Sequence, residues 1–173
     1  MNKVILFALI LGFIGYSVPQ RATQVTRDLT IESFSTNDER FSSKLDLLRP
    51  YIETKKDMKP TLNFMILQLE KNFATRKVEF ITNERKIICE VPKESLKFVY
   101  FNNKLGDQFE LIINDSDVEE FLEMTREEGE IKLIFTNDYE DELIKVLTEK
   151  EKEILNITIL NYIYKLNNMN GEL

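Results

Sequence analysis

The chain reads as an α+β domain. The expected architecture is an antiparallel sheet of about five strands, two hairpins plus one strand, packed with N-terminal helices, one inserted helix and a long C-terminal helix. Three observations predict it. Apolar residues recur at three- and four-residue steps over 45–73 and again over 154–166, the helical period. Between these stretches lie short β-branched and aromatic runs separated by Asn- and Gly-containing turns. Helices and strands follow one another in blocks instead of alternating strictly, which is the α+β order. With 173 residues, 43% of them hydrophobic, the chain has the material for one core.

At the N-terminus, Asn2-Lys3 precedes an apolar run from Val4 to Ile14. That run suits a signal-peptide core and is short for a span of about 20 residues. Gly15 and Ser17 suit cleavage after Ser17, so residues 1–17 are expected to be a signal peptide. The competing readings are an uncleaved signal anchor and a buried N-terminal element. Residues 18–42, mixed in Thr, Ser, Asn, Gln and Arg, read as a flexible linker in which Leu29, Ile31 and Phe34 could form a short edge strand. Residues 43–173 form the single α+β domain.

Within it, Leu45, Leu48, Tyr51 and Ile52 suggest a helix broken near Arg49-Pro50. A second helix is expected from Pro60, with Leu62, Met65, Ile66, Leu69 and Phe73 on one face. Val78 to Thr82 and Ile87 to Val91 flank Asn83-Glu84-Arg85-Lys86 as a hairpin. Leu96 to Phe101 and Phe109 to Ile113 form another, with Gly106 and the Asn102-Asn103 pair in the turn. Ser116 with Glu119 is a capping box that places a helix start at Asp117, and Gly129 closes that helix. Ile131 to Phe135 is a fifth strand, Ile131, Leu133 and Phe135 on one side and Lys132 and Ile134 on the other. Asp138 to Val146 reads either as a short helix capped by Asn137 or as an acidic loop entering a short strand. Thr148 with Glu151 caps the last helix, whose stripe is Ile154, Leu155, Thr158, Ile159, Tyr162, Ile163 and Leu166.

Charge and composition narrow the chemistry. Net charge is −7, which argues against phosphate-backbone binding. Residues 44–104 hold 13 Lys/Arg and 8 Asp/Glu, whereas 105–173 hold 6 and 18. The two halves either offer a polarised surface or face each other inside the fold. The chain has no His, so imidazole catalysis and His-based zinc sites are excluded. Cys89 is the single cysteine; no intramolecular disulfide can form, and its place in the run 86–91 suits a small buried strand residue. No P-loop or Gly-x-Gly-x-x-Gly is present.

Carboxylate pairs survive these exclusions, as in glycoside hydrolysis, but no Trp offers a sugar platform. The acids Asp115, Asp117, Glu119 and Glu120 depart from the EF-hand pattern, and Asp138, Glu140, Asp141 and Glu142 read as a solvated cluster. The basic segments Lys55, Lys56, Lys59, Arg76, Lys77, Arg85 and Lys86 are interleaved with acids. Asn114 and Asn156 begin glycosylation-type triplets. No residue is assigned as catalytic, cofactor-binding or metal-ligating, and no cofactor is implied. The expected function is that of an exported, soluble, non-enzymatic binding or accessory protein, secreted or periplasmic, whose partner is another protein. Nucleic acid is not an expected partner, and membrane contact is expected only through an uncleaved leader. A carboxylate-dependent, glycosidase-like hydrolase and a membrane-tethered surface structural factor are the alternatives.

Overall fold

The computed structural model describes residues 19–25, 29–36, 47–101 and 103–170. The expected signal peptide lies outside the described residues. Among the described residues ten strands and two helices follow one another: β1 (Pro19–Val25), β2 (Leu29–Thr36), β3 (Leu48–Lys55), β4 (Thr61–Gln68), β5 (Lys77–Ile81), β6 (Lys86–Glu90), β7 (Lys97–Phe101), β8 (Lys104–Ile113), α1 (Asp115–Arg126), β9 (Lys132–Thr136), β10 (Glu142–Val146) and α2 (Glu149–Asn170). The α+β class holds. The count of five strands in one sheet does not: the strands form a six-stranded sheet, ordered β1-β2-β3-β4-β8-β7, and a four-stranded sheet, ordered β10-β9-β5-β6. All pairings are antiparallel.

The expected N-terminal helices are strands β3 and β4. In β4, Leu62, Phe64 and Ile66 are fully buried on one face, a period of two that the helical steps had masked. The run Leu62 to Leu67 is apolar at nearly every position, and such a run fits a buried strand as well as a helix. In β3, Leu48, Pro50 and Ile52 point inward and Arg49 outward. Pro50 sits where the β2 ladder ends, opposite Ser33–Tyr51, so its missing N–H costs the sheet no bond on that side. Pro60 precedes β4 instead of opening a helix. The turn between β3 and β4 needs a left-handed residue, supplied by Asp57 at φ 58°. Residues 18–42, expected as a linker, contain β1 and β2; β2 covers the strand expected around Leu29 to Phe34, but it lies between β1 and β3 and is not an edge.

The hairpins at 77–90 and 97–113 form as expected, with one change. Gly106 lies inside β8, not in the turn, where a Cβ would stand 1.9 Å from the Gln68 carbonyl oxygen. The left-handed residue of the turn is Asn103, at φ 61°, one of the expected Asn pair. Of the two readings for 138–146, the loop and short strand is the one observed, as β10. Helix α1 starts at Asp115 with Asn114 as N-cap and without a side-chain capping bond. The Ser116 hydroxyl bonds Asp117 (3.1 Å) instead. Gly129, at φ 108°, lies two residues beyond the actual cap, Glu127. The Thr148–Glu151 box forms fully, and the α2 stripe is buried from Ile154 to Tyr162.

The core lies between the inner faces of the two sheets and takes in residues of both helices. Phe64 of the large sheet, Phe80 of the small sheet and Phe121 of α1 meet edge to face, with centroids 5.0 to 6.1 Å apart. Phe109 and Phe135 repeat the contact between sheets at 6.4 Å. Helix α2 lies along β2 and β3, held by Lys165 on Glu32 (2.7 Å) and by Glu151 on the β3 backbone. Asn156 of α2 donates to the Thr125 hydroxyl of α1 at 2.6 Å.

Candidate functional site

Each strand of the small sheet sends alternate side chains inward and outward. The inward set, Val78, Phe80, Ile87, Leu133 and Phe135, is buried. The outward set forms three cross-strand rows. One row reads Glu142, Thr136, Lys77, Glu90, and the next Ile144, Ile134, Glu79, Ile88. The third reads Val146, Lys132, Ile81, Lys86. Ile144, Ile88 and Val146 are 56, 53 and 42% exposed, while Ile134 and Ile81 are half-buried among them. The outward sheet face is thus aliphatic through much of its middle row, with Lys132 set between Val146 and Ile81 in the next.

Glu79 is the exception at the centre. It is nearly buried, and its carboxylate is clamped by Lys77 (2.9 Å) and Lys86 (2.5 Å). The hydrogen bond from Lys86, then that from Lys77, lowers its pKa against the opposing effect of burial. An aliphatic surface whose central carboxylate is already paired can be covered by another surface without stranding that carboxylate.

The basic segments are mostly spent inside the fold. Lys59 pairs with Asp115, Arg76 with Asp138 (3.0 Å), Arg85 with Glu127 (2.7 Å) and Lys55 with Glu53 (3.1 Å). Lys145 likewise reaches back to Glu70. Three of these pairs, those of Lys59, Arg76 and Arg85, set a cation of the basic half on an anion of the acidic half, so part of the charge asymmetry is internal complementarity.

The acidic clusters are structural where the described residues show them. Asp115 binds Lys59 and the Tyr162 hydroxyl (2.7 Å), which lower its pKa in that order, and burial, then the same contact, raises that of Tyr162. Asn137 accepts from the Tyr139 and Asp141 backbones (2.9 and 3.0 Å), shaping the β9–β10 turn. Among the described residues no group of three or more Cys, Asp or Glu is placed to hold a metal ion. Cys89 is half-buried; desolvation, with Asp117 and Glu90 nearby, pushes its thiol up to about 12, the opposite of a reactive thiolate.

Among the described residues, shallow pockets of about 200 and 270 Å³ lie elsewhere. Both are smaller than the range of roughly 300–1,000 Å³ usual for small-molecule sites. The first brings Glu94 and Glu110 to one lining, but Glu110 accepts the Tyr51 hydroxyl, whose pKa is raised by burial and then by this bond. Of the two triplet asparagines, Asn114 is exposed, whereas Asn156 is tied between the helices. No family model, no curated protein and no solved structure matches the chain.

Proposed function

We propose that the protein is an exported, non-enzymatic binding protein that docks another protein on the outer face of its four-stranded sheet. The observation that carries the reading is the aliphatic patch of Ile81, Ile88, Ile134, Ile144 and Val146, rimmed by Lys86, Lys132, Glu90 and Glu142. Apolar patches with polar rims mark contact surfaces on soluble proteins. A flat face offers area instead of a concave chamber, which favours a macromolecular partner over a small ligand. The leader Val4 to Ile14 supports export.

The test is an affinity capture with the wild-type chain and an Ile88→Asp/Ile144→Asp variant. Both positions are more than half exposed, so the variant should keep its circular dichroism spectrum and unfolding midpoint. Any partner captured by the wild type should fall at least about tenfold with the variant, because two central apolar contacts become charged. Equal capture by both chains would remove this face from the reading. Mass analysis of the exported product should find an N-terminus at Val18; an intact Met1 would refute cleavage.

A further inference from the structure

The outer face of the small sheet matches a copy of itself. Its rows run across the strands and differ in charge. Glu142 and Glu90 stand exposed at the two ends of one outer row, and Lys132 and Lys86 are exposed in the other. Between them lies the row of Ile144, Ile134, Glu79 and Ile88. Glu79, Glu90 and Glu142 balance Lys77, Lys86 and Lys132, so the face is neutral in a chain whose net charge is −7. Lys77 and Lys86 are held by Glu79, whereas Lys132, Glu90 and Glu142 form no ion pair among the described residues.

Charge decides how two such faces can meet. A twofold axis parallel to the strands would lay Glu142 on the partner's Glu90, acid on acid. An axis along the middle row exchanges the outer rows instead. Glu90 then faces the partner's Lys86, Glu142 comes beside the partner's Lys132, and symmetry makes each contact twice. Ile144 and Ile134 meet their own counterparts on that axis. Glu79 meets its counterpart too, with each carboxylate already clamped by two lysines. Lys132, set between Val146 and Ile81 with no acid of its own, gains one from the other copy.

We propose that the protein pairs with a second copy of itself through this face, as a twofold dimer of packed sheets. The proposal rests on the docking role given to the face above and names its occupant. Sheets packed face to face stand about 10 Å apart, a gap that aliphatic side chains fill from both sides and lysine stems can cross. Because the face is neutral, the excess acid of each copy lies away from the contact. Four strands about 4.8 Å apart and five residues at about 3.3 Å cover roughly 19 by 17 Å. That is less than the about 800 Å² per partner of a standard interface, so the dimer is weak and forms with rising concentration.

Sedimentation velocity of the full chain, from about 10 µM to about 1 mM, should show a monomer giving way to a dimer. Ile144→Asp should weaken the association by about tenfold or more. Lys132→Glu and Glu142→Lys should each weaken it too, since either one sets like charges against each other across the axis. Both reversals in one chain should bring association back toward wild type. The two positions lie two rows apart in one copy, about 13 Å along the strands, so the recovery needs the contact between copies. All three sites are exposed, and every variant should keep the wild-type circular dichroism spectrum. The leader is the same in all of them, so association through it is a constant background. A wild type that stays monomeric, a dimer indifferent to Ile144→Asp, or no recovery in the doubly reversed chain would each overturn the proposal. A monomeric wild type whose captured partner is still lost with Ile88→Asp/Ile144→Asp would end self-pairing and keep the docking face. A dimer indifferent to Ile144→Asp, with capture unchanged as well, would end both.

Discussion

Glu151 shows how much one side chain can organise. It is nearly buried, and its carboxylate accepts from Thr148 N (2.8 Å), the Thr148 hydroxyl (2.8 Å), Leu47 N (2.6 Å) and Leu48 N (3.2 Å). The first two bonds cap α2, and the other two fasten the start of that helix to the start of β3. Sequence spacing revealed the capping half of this role. The other half joins residues about a hundred positions apart, and no local pattern records it. The same spacing misled at Ser116 and Glu119, because Asp115, held by Lys59 and Tyr162, already lies in the first turn of α1. Glu151→Ala should cost about 3 kcal/mol, since it leaves several backbone donors without their acceptor in a buried setting. Glu151→Gln, which keeps one acceptor oxygen, should cost less. Urea unfolding of the two variants against wild type measures both, and a near-neutral alanine variant would contradict the role given to this carboxylate.

Among the elements, legibility followed how local the determining interactions are. The β5–β6 and β7–β8 hairpins, β9 and both C-terminal helices were readable because alternation or a 3.6-residue stripe coincides with nearby turn and cap residues. Strands β3 and β4 were not, because their burial on the inner face comes from distant partners: Phe64 needs Phe80 and Phe121, and Pro50 is tolerated only where the β2 ladder stops. The outer patch was half readable. Ile134 was already separable from the Leu133–Phe135 face, but its neighbours Ile144 and Glu79 come from strands whose pairing with β9 no local window contains. Gly106 was noticed for the wrong reason. Its value is the absence of a side chain where β8 passes the Gln68 carbonyl, not freedom in a turn. Gly106→Ala should therefore destabilise by about 2 kcal/mol or more, because the obstacle is backbone and cannot swing aside. Thermal unfolding tests this, and a midpoint within a degree of wild type would rule out so close an approach of the strands.

For the molecule as a whole, the opposed charges of its two halves make stability depend on acidity. Asp115 anchors α1 to Lys59 at the end of the β3–β4 turn and to Tyr162 on α2, and Glu79 holds two lysines on the small sheet. Both carboxyls have pKa values lowered in the folded chain, by hydrogen bonds from Lys59 and Tyr162 and from Lys86 and Lys77 respectively. A lowered folded pKa means that the unfolded chain takes up the proton first. The stabilisation is then complete above the unfolded carboxylate range, roughly 4, and disappears as pH falls through the lower folded values. Asp115 is half exposed and solvent screens its pair, so the effect is a tilt in the pH profile, not a collapse at one pH. Asp115→Asn should lower the unfolding midpoint at pH 7, with the gap from wild type closing as pH falls from about 5 toward 2. Adding Glu79→Gln should flatten the profile further. Asp115 opens α1, Glu79 lies on the small sheet, and they share no partner, so their contributions should add. A gap that stays constant over that range would mean that Asp115 stabilises the fold by shape, not by charge.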